Sequence, residues 1–419
     1  MRAYIEILKQ IIEDKSCNTQ TLCEQHSMSR IDQMVRTNIF TEELKKLGAF
    51  FTEQVLAEQA CKQFQSVITA DSIVLDPSCG IGNLLVESSR QLGVCRLLSD
   101  TLKQWNKVLK GFDIRADFVE LTKLQLILEA LRRGVEKDCS IDKAISYLNH
   151  IELRDALSIS KEEIKGVTHL FMNPPFITIQ APKRDYWGNG KTNSAAVFFD
   201  YYLRLLPENS HVVAILPDVL RSGSRFAHFR KFVASELHGC LQVWGRFSVS
   251  ADVDVFILSG QKMNSHCSLE WAKRPQLEGK ILSSEYQVCV GPLVAYRDKQ
   301  QGQLYPYFHP KNCKNWEIVT AVSEMRAFDG KVIQPPCILI KRTSSPSDKF
   351  RAAATLVNLK QPIAVENHLI VVTPKDGKLK SCKKLLKVLA KSEINHFLNE
   401  QIRTRHLTVG VVKMIPLVV

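Results

Sequence analysis

Residues 72–83 read SIVLDPSCGIGN. Ile73, Val74 and Leu75 make a short apolar run, and Asp76-Pro77 ends it. Gly80 and Gly82 then allow a tight turn and a close approach of backbone to a ligand. A helix follows with its first amides free. One such strand–turn–helix unit is weak evidence, because this G-x-G lacks the third glycine of a dinucleotide fingerprint and is not a P-loop. Its recurrence decides the fold. From about Ser72 to Ser259, short β-rich runs (SIVLDP, KGFDI, HIELRDA, THLFMN, HVVAILP, LQVWGRF and DVDVFIL) alternate with helical stretches. That alternation implies a mostly parallel α/β sheet covered by helices on both faces. Such sheets bind ligands at the carboxyl ends of their strands.

The flanks read differently. Residues 1–40 carry helical spacing (Ile5, Leu8, Ile11, Ile12, then Leu22, Ile31, Met34 and Val35), with a loop near Cys17–Thr19. After about Gly260 the strand-like pieces YQVCV, CILIKR and HLIVVTP sit among Pro, Asn, Lys and Gly. A basic helical segment, KLKSCKKLLKVLAKSEINHFLNEQIRTR, follows. The expected division is a helical segment 1–40, a catalytic domain 41–262 and a smaller α+β domain 263–419.

The chain of 419 residues is long enough for two or three domains with real cores. The 56 Lys+Arg against 43 Asp+Glu give a net charge of +13 and favour an anionic partner, nucleic acid first. No apolar run reaches about 18 residues, so no membrane span is expected. MRAYIEILKQIIEDK mixes charge into its apolar residues and has no signal-peptide core, so a cytoplasmic protein is expected. The 12 cysteines form no C-x-x-C pair and no zinc-spaced cluster, so they read as free thiols and no metal is expected. Cys313 and His309 would supply two ligands, too few for a site.

The chemistry sits at the strand ends. The first strand closes on Asp76 and the second on Asp113, an acid well placed for both hydroxyls of a ribose, with Ile114 ready to pack on an adenine ring. The third closes on Arg154-Asp155-Ala156, where a carboxylate can accept from an exocyclic amine. Each acid taken singly is an ordinary helix N-cap. The fourth candidate strand runs into Asn173-Pro174-Pro175-Phe176: an amide, a stiff backbone without donors and an aromatic ring where a loop should be polar. That end suits a planar, hydrogen-bonding ligand. Upstream, Leu47-Gly48-Ala49-Phe50-Phe51-Thr52 precedes a helix, with Thr52 as its expected N-cap. Residues 180–194, QAPKRDYWGNGKTNS, read as a basic, aromatic loop that closes over its partner or stays an ordinary surface loop. The Lys run at 378–391 reads as a solvated helix face or a nucleic-acid contact.

Taken in order, these motifs resemble the gamma class of DNA adenine-N6 methyltransferases, which use S-adenosylmethionine. That family places GAFFTP first, then D-P-x-x-G-x-G, an acid closing strand two, an acid after strand three, N-P-P-Y/F and finally a target recognition domain. The resemblance covers about residues 40–260 and extends loosely through PPCILIKRTSS and RHLTVGVVKMIPLVV. Glu53 replaces the family's proline. The resemblance implies a Rossmann-like class I methyltransferase domain with a mostly parallel seven-stranded sheet. It implies that Phe51, Thr52 and nearby amides meet the methionine carboxylate. Asp76, Ser78, Gly80 and Gly82 would line the methionine and ribose side. Asp113 would hold the ribose hydroxyls, Ile114 the cofactor adenine, and Asp155 with Ala156 its amine edge. Asn173 and the Pro174 carbonyl would accept from the target amine, with Pro175 stiffening the turn. Phe176 would stack on a flipped base, and Phe247 matches a second aromatic that contacts it.

The implied partner is double-stranded DNA, read by this chain alone or with a separate specificity or restriction subunit, in a nucleoid-associated enzyme of a restriction-modification system. N-P-P-Y/F also serves methyltransferases of an RNA base or a protein glutamine. A third reading is a non-catalytic DNA-binding relative; Asn173, Asp113 and Gly80 argue against it.

Overall fold

The structure, a computed structural model, describes residues 2–13, 51–248, 253–263, 269–271 and 279–417. Leu22, Ile31, Met34, Val35, the Cys17–Thr19 loop and Leu47–Phe50 lie outside the described residues. The chain divides into two compact units, Met1–Trp271 and Ala272–Val419.

The first unit contains β1 (Val74–Asp76), β2 (Leu109–Asp113), β3 (Ile151–Leu153), β4 (His169–Met172), β5 (Thr178–Gln180), β6 (Lys191–Asn193), β7 (His211–Pro217), β8 (Leu237–Arg246) and β9 (Asp254–Lys262). All seven strand candidates of the sequence lie in one seven-stranded sheet, ordered β3-β2-β1-β4-β7-β9-β8. β3, β2, β1, β4 and β7 run parallel, whereas β9 is antiparallel to both β7 and β8.

Side chains of a strand alternate between the faces of its sheet. Successive residues therefore enter two cores. Phe171, Val213, Ile215, Val255 and Ile257 join one. Leu170, Met172, Val212, Ala214, Leu216, Phe256 and Leu258 join the other. Because both faces are covered, these strands read as unbroken apolar runs rather than alternating ones.

The helix Arg2–Glu13 buries Ile5, Leu8 and Ile12 in the first of these cores. Each such side chain contributes roughly 1.5–3 kcal/mol. Lys9 pairs with Glu120 at 2.6 Å, and Glu13 accepts from the Ile141 N–H at 2.9 Å. This helix is thus part of the first unit's core.

The second unit holds β10 (Tyr286–Val290), β11 (Gln303–Phe308), β12 (Ile318–Val319), β13 (Met325–Phe328), β14 (Cys337–Lys341), β15 (Ala354–Val357), β16 (Ala364–Val365) and β17 (Leu369–Pro374). They form a five-stranded sheet, β10-β17-β14-β15-β12, and a three-stranded one, β13-β11-β16. The α+β expectation matches this arrangement. The basic segment forms two helices rather than one, Leu379–Leu389 and Ser392–Gln401. Lys391 is extended between them, and Ser392-Glu393 supplies a fresh helix start with an acid in the first turn.

Candidate active site

The chain runs from β1 outward to β2 and β3, then returns to β4 on the other side of β1. This reversal opens a crevice between the carboxyl ends of β1 and β4, the usual ligand position in such sheets. Asp76 ends one strand and Asn173 follows the other.

A cavity of roughly 320 Å³ lies there, lined by Ser78, Gly80, Asp113, Ile114, Asp155, Ala156 and Asn173 among others. A narrow extension of roughly 30 Å³ is lined by Phe51, Thr52, Asp76, Ser78, Gly80 and Asn173. Phe51, Ser78, Gly80 and Asn173 line both parts. Residues spread over more than 120 positions of sequence thus meet in one cleft.

The turn after β1 needs its glycines. Gly80 and Gly82 have φ of +53° and +92°, in the left-handed region. A Cβ on Gly82 would come within 2.7 Å of Thr122 Cγ2. Gly82 does not line the cleft; it starts the helix Asn83–Ser89 and packs against the helix Ala116–Arg132. The Gly80 N–H donates to Asp113 Oδ2 at 3.0 Å, and the Arg115 N–H donates to Asp113 Oδ1 at 2.9 Å. A carboxylate offers about four acceptor positions, so each oxygen retains one for a diol. Burial raises the Asp113 carboxyl above its usual range, against these two backbone donors.

Asp76 is 1% exposed and accepts from the Ser78 N–H at 3.1 Å. Burial pushes its carboxyl up to about 8, and the nearby Asp113 adds to the rise. Asp155 accepts from the Leu157 N–H at 2.9 Å, the N-cap role the sequence allowed, while facing the cavity. Ile114 is 68% exposed, an apolar surface in the cavity wall.

The expectation that Thr52 caps the following helix is corrected. That helix, Gln54–Cys61, has Glu53 at its N-cap position. Thr52 is instead buried, and its Oγ1 accepts from Asn173 Nδ2 at 2.9 Å. The Thr52 carbonyl accepts from Asn83 Nδ2 at 2.7 Å. A side chain that crosses to a distant strand end outcompetes a local cap.

Phe176 and Phe247 meet edge to face, 5.9 Å between centroids at 83°. A β-bulge at Val243–Gly245 in β8 precedes Phe247, which is 2% exposed. Residues 180–194 do not form a free loop. β5 and β6 pair as a hairpin, and its tip is pinned to buried Asp200 by Arg184 at 2.8 Å and by the Tyr186 hydroxyl. Lys191 and Thr192 lie in β6 of this hairpin, which leads into the helix Ser194–Leu205.

Sequence reading missed Arg115, Phe118, Ile177, Ile179, Ser194 and Phe198, all of which line the cavity. Ile177 and Ile179 carried a signal, the alternation in FITIQ after the N-P-P-F turn. Ser194 carried none. Among the described residues, no group of three or more His, Cys, Asp or Glu is placed to hold a metal ion. No described helix is long and apolar enough to cross a membrane.

The family model for N-6 DNA methylases matches residues 25–233, which include the whole cleft from Phe51 to Phe198. The chain belongs to the N-6 DNA methylase family. No curated protein matches this methylase-family chain by sequence. Solved structures similar to it include the type IIG restriction endonuclease BpuSI, at 14% identity and a TM-score of 0.45, over 96% of this chain and 63% of that one. The M protein of the type I restriction enzyme EcoKI is similar at 15% identity and a TM-score of 0.38, over 62% of this chain and 54% of that one. The type IIL restriction-modification enzyme MmeI in complex with DNA is similar at 11% identity and a TM-score of 0.46, over 98% of this chain and 70% of that one. The family chain therefore spans between about half and two thirds of the length of the first two.

Proposed function

We propose that this protein transfers a methyl group from S-adenosylmethionine to the N6 amine of an adenine flipped out of double-stranded DNA, as the modification activity of a restriction-modification system. The observation that carries the reading is the placement of Asn173. It borders both the nucleoside-sized cavity and its narrow extension, one turn of chain from the Phe176–Phe247 pair.

The cleft suits the cofactor. Asp113 offers a ribose diol its remaining acceptor positions, Ile114 presents an apolar face to a purine, and Asp155 stands at the far wall. The narrow extension, walled by Thr52 and Asp76, fits a methionine chain. When bound, S-adenosylmethionine supplies a methyl already activated on a sulfonium.

The chain's own task is alignment and polarisation. The lone pair of an adenine amine is delocalised into its ring, which makes it a poor nucleophile. Thr52 holds the Nδ2 edge of Asn173, which fixes the carboxamide's other edge as the acceptor. That oxygen and the Pro174 carbonyl accept from the two amine hydrogens and draw the nitrogen toward tetrahedral geometry. No strong base is required, because the proton leaves after attack. Phe176 replaces the stacking that a flipped base loses, worth about 1–3 kcal/mol.

The test expresses wild type and Asn173→Ala in cells lacking adenine methylation and maps modified adenines by single-molecule sequencing. Wild type is expected to mark one sequence motif, and Asn173→Ala none, while the purified variant still binds cofactor. Asp113→Ala is expected to weaken cofactor binding first. Full activity in Asn173→Ala removes the site assignment. A motif marked with a second protein supplied, and not without it, identifies a specificity partner.

A further inference from the structure

We infer that Ser194 is a positioning residue for Phe176: its hydroxyl grips the peptide groups on both sides of that aromatic and so sets the ring. The inference rests on the reading of Phe176 as the base-stacking side chain.

The Ile177 N–H donates to Ser194 Oγ at 3.0 Å. The same hydroxyl donates to the Pro175 carbonyl. The Ser194 N–H donates to the Ile177 carbonyl at 2.8 Å. One residue thus ties three backbone groups that flank Phe176. The peptide before it and the peptide after it are both held, so the direction of its Cα–Cβ bond is held. What remains to the ring is rotation about two side-chain bonds, and the Phe247 edge at 5.9 Å restricts that.

Ser194 has the rigidity the task needs. It is the first residue of the helix Ser194–Leu205 and is 1% exposed, so water does not compete for its bonds. The preceding Asn193 caps that helix by accepting from the Ala195 N–H at 2.9 Å. Ala195, Ala196 and Phe199 anchor the helix in the core shared with β4. The Pro174-Pro175 backbone resists bending but cannot donate a hydrogen bond. The clamping hydroxyl comes from outside the motif, from the residue that follows β6 of the hairpin.

A serine that merely closed a turn would affect stability without acting through Phe176. Two measurements separate the cases. The first places 4-fluorophenylalanine at position 176 and records its fluorine resonance in wild type, Ser194→Ala and Ser194→Cys, the last keeping volume with a weaker donor. One narrow line is expected in wild type and a shifted or broadened one in both variants. An unchanged line in a folded variant overturns the clamp. This arm needs no turnover, so it stands whether or not the protein methylates DNA. The second measures turnover in a cycle of Ser194→Ala, Phe176→Ala and the double variant. Ser194→Ala is expected to lower kcat on the order of 10- to 100-fold with cofactor affinity retained, and the double variant to be no worse than Phe176→Ala. Losses that multiply overturn the coupling. A changed resonance with wild-type kcat supports the clamp and overturns base stacking by Phe176.

Discussion

The Thr52 hydroxyl and the Asn173 amide come from segments 121 residues apart, yet they share a hydrogen bond at the centre of the cleft. The motif containing Thr52 was legible, and so was Asn173. Their contact was not, because local rules describe caps and turns, while a contact across the fold depends on where two strand ends arrive. The bond predicts a split in kinetics. Thr52→Val keeps the shape and removes the acceptor of the Asn173 Nδ2 hydrogen bond. Turnover is expected to fall roughly 10- to 100-fold with cofactor affinity little changed, and Thr52→Ser to retain activity. A rise in cofactor Kd with unchanged kcat would instead assign the hydroxyl to the methionine carboxylate. Asp76 carries a second prediction. Its carboxyl rises to about 8 in the fold, from an ordinary value near 4 in the unfolded chain. The folded state therefore holds the proton more tightly, and stability from this group is complete below about pH 4. It is lost as pH rises toward 8. Melting curves of wild type and Asp76→Asn across that range read the effect. The variant is expected to gain on wild type steadily with pH, and parallel curves would show that Asp76 does not titrate there.

At the scale of elements, β1, β4 and β7 were visible as short apolar runs closing on Asp, Asn or Pro, because strands buried on both faces leave that mark. The β5–β6 hairpin was not. Thr178–Gln180 and Lys191–Asn193 are polar and short, and their anchors lie far along the chain. Asp200, at 0% side-chain exposure, binds Arg184 at 2.8 Å and Arg204 at 3.1 Å, and Tyr186 and Trp187 pack near Phe232 and Phe229. Nothing within residues 180–194 announces partners in two later helices, so the stretch reads as an open loop. The pin makes a prediction. Asp200→Asn keeps the side-chain shape but removes the charge that the two guanidinium groups share. It is expected to cost about 1–3 kcal/mol in denaturant unfolding and to speed tryptic cleavage at Lys183 and Arg184. Cleavage unchanged from wild type would mean that the β-pairing alone holds the hairpin. The basic segment of the second unit shows the complementary limit: its helical spacing was plain, but the break at Lys391 depended on a start signal two residues long.

For the whole molecule, the order of motifs along the chain was the most legible feature, since it follows the order in which one sheet is wound. Net charge was legible too, at +13, but its distribution required the fold. In the second unit the helix Leu379–Leu389 buries Cys382, Leu385, Val388 and Leu389. Lys380, Lys383, Lys384 and Lys387 are exposed. Among the described residues none of these four lysines makes an ion pair. A face of like charges without compensating acids costs self-repulsion, which a polyanion relieves. If that polyanion is the phosphate backbone of DNA, each lysine that meets a phosphate releases a counterion on binding. The logarithm of the affinity then falls with the logarithm of salt concentration by about 0.9 per contact. Replacing all four lysines by Ala should lower the magnitude of that slope by up to ~3.6 on a duplex carrying the methylated motif. Because phosphates carry no sequence information, the motif itself should remain the same. Binding measured at four or five salt concentrations, beside a methylation map of the variant, separates the cases. A reduced slope with the same motif places this face on the DNA backbone. An equal slope leaves it a solvated helix face, and a changed motif moves base reading into this helix.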